Sequence, residues 1–332
     1  MALEINQLRH LLALAQHGSF VRAAKSLHMS QPALSRSIQA LEQHLGTPLF
    51  LRSASGAVPT DLGRLYIERA RDVVRLADEL VRDLQDRRTI QSGHVAAGGG
   101  PFPVELLLAR AAERFIQQYP SISMQIVSRN WDDLLRLLRS RDLDFFVGEV
   151  STLAHEPDVV VEHLAEKHPL FFIARSGHPL AGRNDVSAAE VFAWPFLTPS
   201  RLPPRIYEPM LAVQRQVARS GATTRPLPIL ECSSLATLQR LLDVTDSLSA
   251  VPLPLIAGDL QRKRYVVLGT EPWLYLHYGL VSLKGRPITQ AATRFQEYVR
   301  EAEQEFSAED RRLVAELRKR GTRRQAKRTG TR

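Results

Sequence analysis

The sequence predicts an α/β protein in two parts: a small helical module at the N-terminus and a larger body of alternating strands and helices, joined by one long helix. Three observations predict it. Apolar residues recur at three- and four-residue steps over the first ninety residues, short apolar runs alternate with helical stretches after Gln91-Ser92-Gly93, and positive charge is concentrated at the two ends of the chain. The length of 332 residues is sufficient for two or three domains.

The charge distribution separates the ends of the chain from its middle. Residues 1–60 carry five Lys/Arg against two acidic residues, residues 307–332 carry ten against three, and the remainder carries 29 against 30. A basic end joined to a neutral body indicates one module for polyanions and another for a different ligand. The pattern therefore disfavours a uniformly basic protein that coats nucleic acid.

Cysteine content and hydropathy predict a soluble, cytoplasmic protein with no membrane partner. The single cysteine, Cys232, allows neither an internal disulfide nor a multi-cysteine metal site, and it fits a reducing compartment. No run of eighteen apolar residues occurs, and the first ten residues lack the apolar stretch of a signal peptide.

The first forty-five residues have the pattern of three short helices. Residues 5–15 are amphipathic, and Gly18 is expected to end this helix. Ser19 can cap the second helix. Ser30 is a good N-cap for the third helix, with Pro32 in the first turn, where the missing N–H is not needed.

The third helix has one apolar side and one uncharged or basic side. Its apolar stripe consists of Ala33, Leu34, Ile38, Leu41 and Leu45. The polar residues on its other faces, before the first acid at Glu42, are Gln31, Ser35, Arg36 and Gln39. Such a surface on the last of three helices matches a helix-turn-helix, in which Gln reads adenine and Arg reads guanine in the major groove. Simple solvation of a polar helix face is the alternative.

A wing and a long helix are predicted next. Gly46-Thr47-Pro48 ends the third helix, Leu49-Phe50 predicts a short strand, and residues 53–59 predict a small turn with Arg52 at its edge. From Leu62 onward an apolar seam steps by three and four residues through Tyr66, Ala70, Val73, Ala77, Leu80 and Leu84. We prefer a dimer-forming helix because paired winged helices cover two half-sites; packing on its own domain is the alternative.

One set of residues between positions 5 and 65 carries a family resemblance. It comprises Gly18-Ser19-Phe20, Ala23-Ala24, Leu27, Ser30 to Ser35, Ile38, Leu41-Glu42, Leu45-Gly46, Pro48-Leu49-Phe50, Arg52 and Thr60. This stretch closely resembles the winged helix-turn-helix of LysR-type transcriptional regulators. The predicted DNA-binding residues are Ser30, Gln31, Pro32, Ser35, Arg36, Gln39 and Arg52.

The resemblance also implies the organisation and partners of the protein. It implies promoter DNA, a small-molecule effector, a homodimer or homotetramer, and contact with RNA polymerase. It further implies a two-lobed body like that of periplasmic binding proteins, with chain crossings near residues 165 and 267. The expected domains are residues 1–60 for DNA binding, 61–90 for the linker helix, 91–164 with 268–306 for lobe I, 165–267 for lobe II and 307–332 for a basic tail.

The body alternates strands with helices, which predicts an α/β domain with mainly parallel sheets. The predicted strands lie at residues 94–97, 123–127, 143–148, 159–164, 170–174, 196–197, 227–231, 247–251, 265–268 and 275–283. Ligands in open α/β folds bind where strands end. The candidate effector contacts at such ends are Gly100, Phe102, Ser128, Asn130, Thr198, Ser200, Ser233 and Ser234. Their hydroxyl and amide content predicts a small polar or anionic ligand, with Arg129, Arg201 and Arg205 close enough in sequence to neutralise a carboxylate.

An enzyme is the competing function class for the body. The sequence contains no G-x-S-x-G nucleophile motif and no H-E-x-x-H metal motif, and the stretch Gly98 to Pro101 lacks the dinucleotide fingerprint. That glycine stretch ends the first predicted strand and can present backbone N–H groups to an anion; a plain flexible connection is the alternative. His155, His163, His168 and His178 lack metal-ligand spacing, so satisfied or solvated histidines are expected. We therefore predict a non-enzyme without catalytic residues, metal or cofactor.

The basic C-terminus is predicted to be partly disordered. The run from Arg318 has no apolar periodicity and many like charges. A solubilising tail is the favoured interpretation, and sequence-independent contact with DNA phosphates is the alternative.

Overall fold

The computed structural model divides into two compact units, Met1–Thr89 and Ile90–Arg332. The first is called the N-terminal unit and the second the body. The structure describes residues 4–53, 56–86, 93–153, 155–183, 186–219 and 225–329. No helix within these ranges is long and apolar enough to cross a membrane.

The N-terminal unit begins with the three predicted helices. They are α1 (Ile5–His17), α2 (Phe20–Ser26) and α3 (Gln31–Leu45). Gly18 ends α1 with a φ of +62°, a left-handed conformation that glycine adopts without steric penalty. The Oγ of Ser30 accepts a hydrogen bond from the Ala33 N–H at 3.4 Å, which confirms the predicted cap of α3. Ser19 occupies the predicted N-cap position of α2, where its carbonyl accepts from the Ala23 N–H at 2.9 Å but its side chain makes no capping bond.

The wing is a two-stranded hairpin rather than one strand and a turn. Strand β1 (Phe50–Ser53) pairs antiparallel with β2 (Gly56–Pro59). The turn predicted over residues 53–59 is therefore wrong, because β2 is a strand of only four residues that begins with Gly and ends with Pro. Such a segment lacks both the length and the alternation by which a strand is recognised.

Helix α4 (Asp61–Asp86) follows the wing and is fixed to it at Gly63. A Cβ atom at Gly63 would lie 2.1 Å from the carbonyl oxygen of Leu49, so a larger residue cannot fit without moving the backbone. The Gly63 N–H donates to the Oγ1 of Thr60 at 2.9 Å, and this hydroxyl donates to the carbonyl of Pro48 at 3.0 Å. The start of α4 therefore sets the position of the wing.

The first turns of α4 pack on their own unit instead of forming a free seam. Ala70 is 3% exposed and belongs to the same core as the buried leucines of α1 and α3, and Tyr66 packs against that core. At Tyr66 and Ala70 the preferred interpretation, a dimer-forming seam, is therefore wrong. The alternative, packing of the helix on its own domain, is right at these positions. Val73 of the predicted seam is exposed, whereas the side chains of Leu80 and Leu84 lie outside the described residues.

The body contains all ten predicted strands, with ends shifted by a few residues. They are β3 (Gly93–Gly99), β4 (Ile122–Ser128), β5 (Phe145–Glu149), β6 (Val159–Pro169), β7 (Phe171–Arg175), β8 (Leu197–Thr198), β9 (Leu230–Glu231), β10 (Ser249–Val251), β11 (Tyr265–Gly269) and β12 (Tyr275–Leu283). The first helical run after β3 comprises α5 (Pro101–Pro103), a π-helical turn (Val104–Leu108) and α6 (Ala109–Gln118). The other helices are α7 (Trp131–Arg139), α8 (Ala188–Phe192), α9 (Pro204–Arg219), α10 (Leu235–Val244), α11 (Leu253–Gln261) and α12 (Gln290–Thr329).

Two sheets form the two lobes of the body. The first has the strand order β4-β3-β5-β12-β6, and the second contains β10-β7-β11 together with the β8-β9 pair, which a bridge between Phe196 and Leu248 links to it. In the first sheet β3 is parallel to β4 and β5, but β12 is antiparallel to β5 and β6. In the second sheet β7 is antiparallel to β10 and β11. The prediction of mainly parallel sheets is therefore wrong.

The antiparallel pairs follow from the path of the chain. Strand β6 leads out of the first sheet and β12 leads back into it, so the two run in opposite directions, with Tyr275 opposite Pro169. The chain passes into the second sheet at Leu170 and leaves it over residues 270–274. The predicted crossings, near residues 165 and 267, lie a few residues earlier in the chain.

The last helix, α12, belongs to the body and continues through the predicted tail. Its apolar residues Phe295, Val299, Ala302 and Phe306 are all fully buried. Ser307 and Asp310, which were assigned to the tail, are also buried. Helix α12 thus extends through the predicted tail as far as Thr329, because extending an established helix costs far less than starting one, and partial disorder of residues 307–332 stays a prediction. Residues 330–332 lie outside the described ranges.

Candidate nucleic-acid interface and ligand cavity

Helix α3 separates its apolar and polar residues onto opposite sides. Leu34, Ile38 and Leu41 are fully buried in the core of the N-terminal unit. The residues predicted to contact DNA remain on the outside, where Ser35 is half-buried and the exposed ones are Ser30, Gln31, Pro32, Arg36 and Gln39. The structure thus brings together six of the seven predicted residues on one exposed face that no described part of the unit covers.

This face of α3 carries no negative charge because the first acid of the helix serves another purpose. The Oε1 of Glu42 accepts hydrogen bonds from the backbone N–H groups of Leu49 at 2.7 Å and Phe50 at 3.0 Å. The carboxylate therefore holds the start of the wing. The N-terminal end of α3 keeps the positive potential of its backbone dipole, next to the guanidinium of Arg36.

A second contact fixes α3 against α1. The Nδ1 of His10 lies 2.7 Å from the Oγ of Ser37, and burial lowers the pKa of His10. At neutral pH this imidazole is therefore uncharged. It positions α3 without adding charge to its surface.

The wing is held near the turn between α1 and α2. The Ala57 N–H donates to the carbonyl oxygen of Gly18 at 2.9 Å. Arg52, the predicted wing contact, pairs with Ala57 through the strand register, and its side chain lies outside the described residues.

The body has a cavity of about 820 Å³, open solvent at its mouth included. It lies where β3, β4, β5 and β8 end and where β12 begins. Of the eight predicted effector residues, five line this cavity: Gly100, Phe102, Asn130, Thr198 and Ser200.

The other three predicted effector residues do not line the cavity. The Oγ of Ser128 is buried without a hydrogen-bond partner, outside the cavity wall. Ser234 caps α10 by accepting a hydrogen bond from the Thr237 N–H at 3.2 Å, and Ser233 is exposed. A serine before a helix serves the helix end as readily as a ligand, as Ser234 does here, and a contact of Ser233 or Ser234 with an effector stays a prediction.

Two of the three predicted arginines pair with acids across the cavity. Arg205 of α9 donates from Nε and Nη2 to the Glu149 carboxylate of β5, at 3.0 and 2.7 Å, and stacks 3.9 Å from the ring centroid of Tyr275. Arg201 binds Asp132 at 3.0 Å. These arginines connect the two lobes, so the prediction that they neutralise a ligand does not hold in this arrangement.

Asn130 makes a similar connection between the lobes. Its Nδ2 donates to Glu231 at 3.2 Å, and its Oδ1 accepts from the Arg201 N–H at 2.9 Å. Arg129, by contrast, is exposed at the cavity and donates to the carbonyl of Ser128 at 2.8 Å. Within the described ranges no carboxylate pairs with it.

Sequence reasoning missed the apolar side chains of the cavity wall. They include Trp131, Phe196, Leu202, Ile206, Met210 and Leu276. In the sequence these residues are indistinguishable from core residues, since they come from three separate segments, at residue 131, residues 196–210 and residue 276, that only the folded body brings together. The expected polar pocket is therefore a mainly apolar one.

A buried ionisable cluster lies away from the cavity, between β6 and α12. The Nε2 of His168 lies 2.9 Å from Glu303, and its Nδ1 lies 3.3 Å from Asp310. Burial by itself lowers the pKa of His168, but the hydrogen bonds to the two carboxylates and their charges outweigh it and raise the pKa to about 9. His168 is a satisfied histidine. Among the described residues no group of three or more His, Cys, Asp or Glu side chains is arranged so that it could hold a metal ion.

Comparison with known proteins gives matches to both units. Residues 5–64 match the family model described as bacterial regulatory helix-turn-helix protein, lysR family, and residues 90–304 match the LysR substrate binding domain. The SDS degradation transcriptional activation protein of a Pseudomonas species is 36% identical over 294 residues, which cover 87% of this chain and 93% of that protein. The RuBisCO operon transcriptional regulator of Allochromatium vinosum is 27% identical over 303 residues, covering 90% and 96%.

Solved structures share the fold at lower identity. A full-length OxyR variant from Pseudomonas aeruginosa aligns with a TM-score of 0.62 at 19% identity, covering 91% of this chain and 95% of that one. Full-length CbnR in complex with target DNA aligns with a TM-score of 0.61 at 21% identity, covering 90% and 100%. Since both units match their family models and a 36% identical relative is covered almost throughout, the chain belongs to the LysR family of transcriptional regulators, with a helix-turn-helix and an effector-binding domain.

Proposed function

We propose that this chain reads promoter DNA with the outer face of α3, and that a small molecule in the body cavity changes how it does so. The observation that carries the proposal is the exposed, acid-free face bearing Gln31, Arg36 and Gln39. Amide and guanidinium side chains there can form bidentate hydrogen bonds with adenine and guanine edges. Ser30, Pro32 and Ser35 lie beside them, and Arg52 of the wing contacts the DNA backbone.

The proposed active form in the cytoplasm is an assembly of two or four copies. The exposed apolar side chains at the start of α4 support it: Leu62 is 57%, Leu65 is 54% and Val73 is 45% exposed. Their spacing places them on one side of the helix, where a second copy can cover them. Two-fold pairing then presents two α3 helices to two half-sites.

The effector acts by favouring one of two arrangements of this assembly. The coupling is reciprocal, so DNA also changes the affinity for the effector by the same factor. The relative named as a transcriptional activation protein supports an activating role for this chain, with contact to RNA polymerase as the output. The body contributes binding and no chemical step.

Substitution of Arg36 tests the role of α3. We expect Arg36→Ala to lose about 1 to 3 kcal/mol of discrimination at one base pair, because one bidentate contact is removed. Competition binding with the upstream region of the gene and its single-base variants measures this. Arg136→Ala, which removes an exposed arginine of α7, is the matched control and leaves discrimination unchanged.

Two results contradict the proposal in different ways. Uniform weakening of Arg36→Ala on every sequence, with a smaller salt dependence, places this side chain on a phosphate instead of a base. Absence of any preference of the unmodified protein for its own upstream region overturns the DNA-reading role altogether.

A further inference from the structure

The wall of the body cavity is apolar on both lobes. Phe102 and Trp131 contribute from the first lobe, and Phe196, Ile206 and Met210 contribute from the second. Phe196, Ile206 and Met210 are each 1–2% exposed, so the lining side chains are also held in the core of the second lobe. Such a surface gains free energy from contact with hydrocarbon and none from contact with a hydrated polar group.

Several polar side chains that reach this wall already have partners. Glu149 pairs with Arg205, Arg201 with Asp132, and Asn130 with Glu231 and with the backbone of Arg201. A polar ligand that used any of them would have to break a contact between the lobes. For Glu149, whose side chain is 11% exposed, the loss of Arg205 is strongly unfavourable, whereas the more exposed pair of Arg201 and Asp132 contributes little.

Four polar side chains at the wall form no hydrogen bond to another side chain among the described residues: Thr198, Ser200, Tyr278 and Arg129. Thr198 and Arg129 are the two that we assign to the head of a ligand. Thr198 is 2% exposed, and its Oγ1 has no hydrogen-bond partner although the atom is buried. Arg129 is exposed, and within the described residues its guanidinium donates only to the carbonyl of Ser128. An unpaired buried hydroxyl is unfavourable, and a ligand acceptor removes that penalty.

We propose that the cavity binds an anionic amphiphile: a molecule with one extended apolar body, which fills the wall, and one carboxylate or comparable anionic head, which faces Arg129 and supplies an acceptor for Thr198. This proposal rests on the function proposed above, in which the cavity is the effector site. It keeps the anionic group of the small polar or anionic ligand that the sequence predicts and adds an extended apolar body.

A small, fully hydrated dianion does not suit this site. Among the described residues Arg129 is the one cation at the cavity without an acidic partner, so the second charge of a dianion would lie against apolar side chains. No contact there would offset the cost of removing water from that charge. An uncharged hydrocarbon fits the wall but leaves both Arg129 and Thr198 without a partner. The amphiphile satisfies the wall and these two groups together.

Straight-chain probes test the proposal with the full-length protein. Decanoate, octanoate, 1-decanol and succinate are titrated below their micelle or solubility limits, and quenching of tryptophan fluorescence reports binding because Trp131 lines the cavity. We expect decanoate to bind about tenfold more tightly than octanoate, since two methylene groups differ between them. Succinate is expected to leave the fluorescence unchanged.

Substitution of Arg129 separates the head from the apolar body. Arg129→Ala is expected to weaken decanoate about tenfold, which is the loss of one charge-assisted hydrogen bond, and to leave decanol affinity unchanged. Arg136→Ala, which removes an exposed arginine outside the cavity, leaves both affinities unchanged. Because Arg129 is exposed, its removal does not disturb the core.

The outcomes distinguish the two proposals. Tighter binding of succinate than of decanoate, no binding of any alkyl probe, or equal loss of decanoate and decanol affinity in Arg129→Ala overturns the amphiphile. If decanoate binds as expected but leaves the affinity for promoter DNA unchanged at saturation, the ligand class stands and the proposed effector role of the cavity fails.

Discussion

The face of α3 and the wall of the body cavity place the same kinds of polar side chain in opposite situations. On α3, Gln31, Arg36 and Gln39 project into solvent, and the only acid of the helix is turned to the wing. Around the cavity, Arg205 and Glu149 are 20% and 11% exposed and bind each other. The face of α3 leaves its hydrogen-bonding groups available to a binding partner, whereas the charged groups around the cavity bind each other and connect the two lobes.

Residue type alone therefore does not identify a binding residue. An exposed guanidinium contributes little to stability, and its removal is felt when the partner binds. A paired guanidinium between two lobes contributes to stability, and its removal leaves a partly buried carboxylate. Substitutions should therefore affect binding in the N-terminal unit and stability in the body.

The largest stability effect is expected at His168, where the contrast with α3 is most extreme. His168→Phe leaves Glu303 and Asp310 buried without the cation they share, so we expect a loss of about 3 to 5 kcal/mol in the free energy of unfolding. Urea unfolding followed by tryptophan fluorescence measures it, because all three tryptophans, Trp131, Trp194 and Trp273, lie in the body.

The exposed His155 provides the matched control for this substitution. His155→Phe is expected to change the free energy of unfolding by less than about 0.5 kcal/mol. Equal effects of His168→Phe and His155→Phe would mean that the buried cluster contributes nothing to the body, and the contrast between the two regions would be lost.

The same cluster predicts how the stability of the body depends on pH. The pKa of His168 is raised to about 9 in the folded protein, from an ordinary value of 6.5. Because the pKa of His168 is higher in the folded protein, protonated His168 contributes its full stabilisation below pH 6.5. This contribution is lost as the pH rises from 6.5 through 9. The pKa difference of about 2.5 units corresponds to about 3 kcal/mol.

Urea unfolding at intervals from pH 7 to pH 9.5 measures this loss. Burial lowers the pKa values of His10, His178 and His277, so these groups change their contribution only below this window. His168→Phe is expected to remove the slope between pH 7 and 9. A slope that persists in this variant assigns the pH dependence to another group.

The face of α3 could be predicted from the sequence because helical periodicity determines which side chains a short amphipathic helix exposes. Once Leu34, Ile38 and Leu41 are assigned to the core, Gln31 and Arg36 must lie elsewhere. The positions of the ten strands followed from local pattern in the same way. These features depend on residues within one turn or one strand of each other.

The cavity wall could not be predicted, because its properties arise between segments far apart in the sequence. Ile206 and Leu276 look like core residues until the chain path places them at one opening. The pairing of Arg205 with Glu149 joins residues 56 positions apart and removes both from any ligand. Strand direction in the two sheets and the anchoring of α12 at His168 also depend on such long-range contacts.

The smallest expected effect compares one arginine from each region. Arg205→Met leaves the Glu149 carboxylate with backbone partners such as the His277 N–H at 3.1 Å, so after allowance for partial exposure we expect a loss of about 1 to 2 kcal/mol. Arg36→Met is expected to change stability by less than about 0.5 kcal/mol. Amide hydrogen exchange read by peptide measures both locally: exchange in β5 and α9 should accelerate about tenfold in Arg205→Met, whereas exchange in α1 to α3 should stay within about threefold in Arg36→Met. Faster exchange throughout α3 in the second variant would mean that Arg36 supports the fold, and the face of α3 would then resemble the cavity wall in how it uses its charge.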